Sequence, residues 1–386
     1  MANTLTSLAA DIYKAADVVG RELVGFVPSC TINADGSEQA AVGQTVRSHF
    51  TQSVSTSTIT PAMTIPEGTD QTVENKTLSI SKQKGVQIPY TGEDARFLNG
   101  GPGYETVYGD QIAQAMRALT NEIEADLATE AYQNAGGAFG TSGTTPFGSN
   151  FSEVAEIRKL LADRGAPMND GQCSLIVNTA AGANLRQLAT LTGVNTAGND
   201  VLLRQGTLLD LQGLMLKESA QVQSHTKGTG TSYDTDSSAA YAAGDKTIHV
   251  DTGSGTILEG DIITFSGDTS IKYVVDTTVT PGSGDEDIVL NSGLLGAVAD
   301  GEDVAIQNTF TANIGMHRAA LELAIRAPAS PAGGDAADDV MIVQDPHSGL
   351  VFEISVYKGF KKSMIMVAAV WGFKAWKPDY IAILQG

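Results

Sequence analysis

The chain has 386 residues, 42% of them apolar, and a formal net charge of −20. That length accommodates two or three cores, and the apolar content excludes a disordered chain. The acidic balance argues against non-specific nucleic-acid binding, which needs a basic face to displace counterions.

The longest apolar run near the C-terminus, Met364 to Trp371, falls far short of the roughly 20 residues of a membrane helix, so no span is expected. The sequence opens Met1-Ala2-Asn3-Thr4 without a basic segment followed by an apolar stretch, so no secretory signal is expected and folding in a cytoplasm is. Cys30, in a polar loop, and Cys173, entering an apolar strand, are too few and too far apart for a disulfide framework. Cys173 is expected as a small core residue.

In chain order, Leu5, Leu8, Ile12, Ala15, Val19 and Leu23 recur at three- and four-residue steps and predict an amphipathic N-terminal helix ending near Gly25. The polar stretch Thr31 to Gly43 leads into strand-like alternation at Val46, Ser48 and Phe50, which resumes at Leu78, Ile80, Val86, Ile88 and Tyr90. Between them, Thr51 to Thr77 holds eight threonines and three serines against five large apolar side chains, Val54, Ile59, Met63, Ile65 and Val73. Such a segment cannot bury a core of its own, and Pro61 and Pro66 suit a loop tip or exposed edge. It is expected as the far end of a long two-stranded ribbon that is stable only across a neighbouring subunit.

After Gly100-Gly101-Pro102-Gly103, the positions Val107, Ile112, Met116, Leu119, Ile123, Leu127 and Ala131 predict a long helix of roughly 40 Å. Its opposite face, Arg117, Glu122, Glu124, Asp126 and Glu130, is expected to be solvated or to face another subunit. The predicted elements that follow are a helix at 151–164, a strand at 175–178, helices at 180–191 and near 201–205, and strands supplied by Leu208, Leu209, Leu211, Leu214, Met215 and Leu216.

From Gly228 the texture turns to Gly, Asp, Ser and Thr with short strand-like runs at 247–250, 261–265, 271–275, 288–290 and 304–306. Turn signals at Ser266-Gly267-Asp268 and Pro281-Gly282-Ser283-Gly284 separate them, predicting a small β-barrel or sandwich inserted between 228 and 309. This span carries fourteen Asp and Glu against two Lys, most of the chain's charge excess. Beyond it, Ile314, Ala319, Ala320, Leu323, Ala324 and Ile325 predict a helix, and strands follow at 340–343, 352–357 and 364–371.

Chemistry-bearing motifs are sparse. His49, His225, His249, His317 and His347 lack the spacing that puts two metal ligands on one helix face, so no zinc site is expected. The glycine runs 136–140 and 228–230 have no P-loop lysine and are expected as loops. Asp234-Thr235-Asp236 and Asp285-Glu286-Asp287 offer oxygen ligands without the pattern of a calcium loop. No catalytic residue, cofactor or metal is expected, and no enzyme. Lys358, Lys361, Lys362, Lys374 and Lys377 interleave with Tyr357, Phe360, Trp371, Phe373 and Trp376, a pattern expected of strands with lysine guarding an edge.

The order of parts, and the stretches MANTLTSLAADIYKAADVVGRELV (1–24), MTIPEGTD (63–70), YETVYGDQIAQAMRALTN (104–121) and NIGMHRAALELAIRA (313–327), resemble the major capsid proteins of tailed phages with the HK97-like fold, specifically P22-type coat proteins with an insertion domain. The resemblance implies an α+β chain with an N-terminal arm at 1–30, and an extended loop, spine helix and part of a peripheral domain at 31–150. It implies an axial domain at 151–228, an inserted β-barrel at 229–308, and the rest of the axial domain with C-terminal peripheral strands at 309–386.

It further implies self-assembly into hexameric and pentameric capsomers of an icosahedral shell. That shell would enclose double-stranded DNA without specific recognition or membrane, with a scaffolding protein and a portal protein as partners. The location implied is the virion capsid, assembled in the host bacterial cytoplasm. Glu67 and Asp70 of the extended loop, and Asp285, Glu286 and Asp287 of the insert, are the candidate assembly contacts, and closure without covalent cross-links is expected. The rival reading is a surface- or carbohydrate-binding β-rich module.

Overall fold

A computed structural model describes residues 5–22, 25–49, 56, 58–61, 63–64, 75–98, 104–192, 208, 210–237, 240–280, 285–345 and 347–386. The expected 201–205 helix and the candidate contacts Glu67 and Asp70 lie outside these residues.

Helix α1 (Leu5–Glu22) is the predicted N-terminal helix, and its buried Ile12, Ala15, Ala16 and Val19 keep the three- and four-residue spacing. Strand β1 (Thr31–Ala40) forms where only a polar stretch was expected. It is recruited by backbone pairing, running parallel to a later central strand through Thr31 to Ala34 and, after a register shift, Gln39 and Ala40. Strands β2 (Thr45–His49) and β3 (Asn75–Ser79) make the predicted two-stranded ribbon, and β4 (Lys82–Thr91) carries the chain back into the body before α2 (Gly92–Leu98).

The spine helix α3 (Tyr104–Gln133) has 30 residues, a length of about 45 Å. It buries Tyr108, Ile112, Met116, Leu119, Ile123, Leu127 and Ala131. Strand β5 (Gly137–Gly140) stands where a glycine loop was expected. A Cβ at Gly137 would sit 2.9 Å from the Arg164 guanidinium and Gly140 has a φ of +101°, so glycine here lets a strand run through a crowded channel.

Helix α4 (Ser152–Asp163) and strand β6 (Cys173–Val177) follow as predicted. The expected single helix at 180–191 is two, α5 (Thr179–Gln187) and α6 (Ala189–Thr192), broken at the extended Leu188. The Asn178 side chain caps α5 by accepting the Ala181 N–H at 2.8 Å.

Strands β7 (Met215–Glu218) and β8 (Ser224–His225) precede the acidic segment, which contributes β9 (Tyr233–Thr235), β10 (Thr247–Asp251), β11 (Ile262–Phe265), β12 (Asp268–Val274), β13 (Glu286–Val289) and β14 (Asp303–Ile306). These six pair in the order β13-β10-β9-β14-β11-β12. A bridge between Val275 and Leu290 brings the two ends of the sheet nearly to closure. Tyr233, Ile248, Val250, Ile263, Phe265, Tyr273, Val275, Ile288 and Leu290 fill a core inside it.

The remaining chain is strands, β15 (Phe310–His317), β16 (Leu321–Pro328), β17 (Ala337–Gln344), β18 (Val351–Lys358), β19 (Lys362–Ala375) and β20 (Ile381–Gln385), with 3-10 turns at Arg318–Ala320 and Pro378–Tyr380. The helix expected across 314–325 is therefore two strands. Every residue of β16 is buried, as are seven of the eight in β15. A strand covered on both faces loses the period-two alternation, and its apolar run matches helical spacing by accident.

The long β19 organises one sheet, pairing with β4 through Lys362–Trp371, with β18 through Ser363–Ala368 and with β16 through Val370–Ala375. The other sheet runs β5-β20-β15-β6-β7 and joins the acidic segment through β12, at the bridge Lys272–Ala138. The result is α+β, with the arm helix, ribbon, spine helix and mixed unit in the order the resemblance implies. The return helix is replaced by β15 and β16. No helix among the described residues is long and apolar enough to cross a membrane.

Candidate assembly surfaces

Among the described residues, the ribbon is anchored at its base and by Lys76 of β3, whose ammonium lies over the Trp376 ring. Leu78 and Ile80 are buried, and Ile80 packs with Ala40 and Val370. A Cβ at Gly372 would overlap the Ser79 carbonyl, so β19 gives up a side chain to let the ribbon cross it. Beyond that base β2 and β3 pair with each other, Val46 opposite Leu78 and Arg47 opposite Thr77. Towards the tip, Ile59 is 94% exposed and Met63 is fully exposed. These two apolar side chains are presented to solvent.

The charged face of α3 is only partly solvated: Glu124 is buried, contrary to the expectation of a solvated or subunit-facing surface, while Arg117 and Glu122 keep about a third of their side chains exposed. Glu124 is buried and accepts the Phe26 and Val27 N–H groups at 3.0 and 2.9 Å, and burial raises its pKa. Asp126 accepts from Lys82 Nζ at 2.7 Å and Trp371 Nε1 at 2.9 Å. Glu130 accepts the Ala375 N–H at 3.0 Å, and Arg117 grips Glu22 of α1 through two bonds of 2.6 Å. The sequence signal of charge failed here because the helix is wrapped by α1, β4 and β19, which supply partners for Arg117, Asp126 and Glu130, and by the 26–27 backbone, which supplies those of Glu124. Cys30 likewise is buried rather than in a polar loop, its thiol pKa pushed up to about 12 by burial.

The acidic segment joins the rest of the chain through a buried polar knot. Strand β8 pairs with β15, Phe310 opposite His225, so the outgoing and returning chains lie side by side. Asp261 is fully buried. Its carboxylate accepts from His225 Nε2 at 2.8 Å, Leu258 N at 2.7 Å and Gly228 N at 3.1 Å. The His225 ring sits between Tyr132 and Phe310, each with a centroid 5.4 Å away. Further seats are Asn291 Nδ2 donating to Gln133 O at 2.6 Å, and Lys272 Nζ donating to Gly140 O and Gln385 Oε1, both at 2.5 Å.

Asp285, Glu286 and Asp287 are placed on β13 and the residue before it, beside β10. Asp285 and Asp287 close on one imidazole, at 2.6 Å from His249 Nε2 and 2.7 Å from Nδ1. With both ring nitrogens donating, the imidazolium is favoured, and the bond to Asp287 leads in raising the His249 pKa. Sequence reading missed His249 because 38 residues separate it from Asp287. Asp234 lies opposite both Asp251 and Asp303 on its neighbouring strands. This row of like charges raises the Asp303 pKa, through its hydrogen bond with Asp234.

The lysine-rich stretch begins in the β18–β19 hairpin, where Phe360 is 94% exposed between Gly359 and Lys361. Lys358 pairs with Asp338 at 2.5 Å, Lys374 approaches Glu130 at 4.0 Å, and Lys377 lies over the Tyr380 ring.

No family model and no curated protein matches the chain. It is similar to solved structures described as the capsid of the cyanophage P-SCSP1u (11% identity, 94% of this chain and 88% of that one, TM-score 0.48) and the mature capsid of bacteriophage PhiM1 (10% identity, 94% and 87%, TM-score 0.45). A virus-like particle from Pyrococcus furiosus is also similar (9% identity, 97% and 98%, TM-score 0.44).

Proposed function

We propose that this chain is a structural major capsid protein of the HK97-like type, whose copies assemble into the icosahedral shell of a tailed double-stranded DNA phage. The observation that carries the proposal is the ribbon: paired with itself, pinned at Ile80 and Gly372, and presenting Ile59 and Met63 to solvent. A two-stranded ribbon is marginal alone, so its folding free energy has to come from a surface outside its own subunit. Burying Ile59 and Met63 there would contribute about 1.5–3 kcal/mol each.

In this reading α1, the ribbon, α3 and the β19 sheet form the arm, extended loop and peripheral domain, and the β15–β20 sheet with α4 and α5 forms the axial domain. Residues 229–308 are an insertion domain locked to it by Asp261. The candidate contacts Glu67, Asp70, Asp285, Glu286 and Asp287 act at subunit boundaries, with Asp285 and Asp287 first pre-organised by His249. A scaffolding protein during assembly and a portal at one vertex complete the particle, and the acidic balance keeps the wall from adhering to packaged DNA.

Such a chain acts by geometry and needs no catalytic residue. A carbohydrate-binding module would want aromatic platforms on its exposed ribbon, where the described tip carries Ile59 and Met63. The test is expression with and without a candidate scaffolding protein, followed by sedimentation. Large closed assemblies support the proposal; monomers under both conditions refute it.

A further inference from the structure

Asp170 and Cys173, close in sequence, meet the distant His317 at one end of β6. Cys173 and His317 are directly opposite each other in the antiparallel pair β6–β15, and Asp170 reaches over from the turn before β6. One ligand atom from each lies within 4.8 Å of the other two. Cys173 and His317 are buried, whereas Asp170 is exposed and opens the cluster to solvent. Met168 Sδ lies 3.8 Å from Cys173 Sγ and lines an open cavity of about 640 Å³ shared with Arg158, Asn169 and Gln212.

We propose that Asp170, Cys173 and His317 form a binding site for one zinc ion, with water from the adjoining cavity as fourth ligand. The donor set is one thiolate, one imidazole nitrogen and one carboxylate oxygen, the three ligand types zinc takes in tetrahedral sites. Its charge also fits burial, because a thiolate and a carboxylate together neutralise a divalent cation.

The His317 ring is held in place by two hydrogen bonds and a ring contact. Nε2 is 2.7 Å from Asp170 Oδ2, Nδ1 accepts the Ala319 N–H at 3.1 Å, and the ring meets Tyr380 edge-on. Without zinc the ring therefore carries its proton on Nε2. Binding releases the Cys173 thiol proton to solvent and moves the ring proton from Nε2 to Nδ1, freeing the Nε2 lone pair for zinc. Two N–H groups cannot face each other at 3.1 Å, so the exposed 318–319 turn has to swing the Ala319 amide to solvent, and the net release is one proton per ion. The ion would tie the turn before β6 and the start of that strand to the end of β15, fixing their register.

The test uses the full chain, stripped with chelator and titrated with Co²⁺ as a spectroscopic stand-in for zinc. The expected result is a thiolate-to-cobalt charge-transfer band saturating at one ion per chain and bleached by Zn²⁺. The band should be lost in Cys173→Ser and kept in Cys30→Ser. Asp170→Asn changes an exposed side chain, leaves an oxygen and an amide beside His317, and is expected to weaken Zn²⁺ binding by about tenfold or more. A titration without the thiolate band, or unchanged affinity in Asp170→Asn, overturns the site and leaves the cluster as a structural His–Asp hydrogen bond beside a core cysteine.

Discussion

Replacing Asp261 by Ala should loosen the whole of residues 229–308 from the body of the protein. The carboxylate is the shared acceptor for His225 Nε2, Gly228 N and Leu258 N, and it has no exposed surface. Truncation leaves the buried His225 and Gly228 donors and the half-buried Leu258 donor without their partner, at about 1–3 kcal/mol each, so the loss is about 3 kcal/mol or more. Asp261→Asn separates this from simple loss of volume. Its carbonyl can keep Leu258 N and Gly228 N, and its amide can donate to His225 if the ring moves its proton to Nδ1. That variant should cost roughly half as much or less.

Native-state hydrogen exchange reads the effect locally. Protection of the amides in β10, β11 and β13 should fall by about a hundredfold or more in Asp261→Ala. Amides of α3 should keep theirs. A fall of less than about tenfold, or equal losses for the Ala and Asn variants, would refute the argument that unsatisfied donors set the cost.

Four further outcomes follow from the same physics. Deleting residues 54–73 should leave a folded, soluble subunit that closes no shells, and a deletion variant that assembles normally would show by sedimentation that the ribbon is dispensable. Gly372→Ala forces a Cβ into the Ser79 carbonyl and should free the ribbon base, seen as new proteolysis near 80 while β19 stays protected.

Asp303→Asn removes one member of the Asp251-Asp234-Asp303 row. The Asp303 pKa is raised in the fold, so the penalty is present at neutral pH and relieved as pH falls through that pKa. The variant should raise Tm at pH 7 and much less in acid or high salt; a lower Tm at pH 7 would contradict this. His249 behaves oppositely. Its pKa is raised by Asp287 and Asp285, so the clamp contributes fully below the unfolded value of about 6.5 and is lost as pH rises through the folded one. NMR titration of His249 should show an upward shift that disappears in the double variant Asp285→Asn/Asp287→Asn.

Much of the architecture was legible because single-face burial writes a period into the sequence. The spacing of Ile12, Ala15 and Val19, and of Ile112, Met116 and Leu119, is that of helices with one covered stripe. The acidic segment was legible from turn residues between short apolar runs, as at Ser266-Gly267-Asp268 between β11 and β12. Burial on both faces erased the signal in β15 and β16, and β1 and β5 hold their places by pairing with β16 and β20 rather than by apolar content. The polar sites were least legible. Asp285 and Asp287 stood out as a charged turn, but His249, the Asp261 knot and the pairing of His317 with Asp170 across 147 residues depend on strand register that no local pattern carries.

The central claim is that many copies of this chain build a shell. Electron microscopy of the purified protein, expressed alone and with a candidate scaffolding protein, tests it most directly. Closed particles of uniform diameter, with density for the ribbon lying across a neighbouring subunit, are the predicted result. Monomers in both preparations, or particles in which the ribbon folds back on its own subunit, would contradict it.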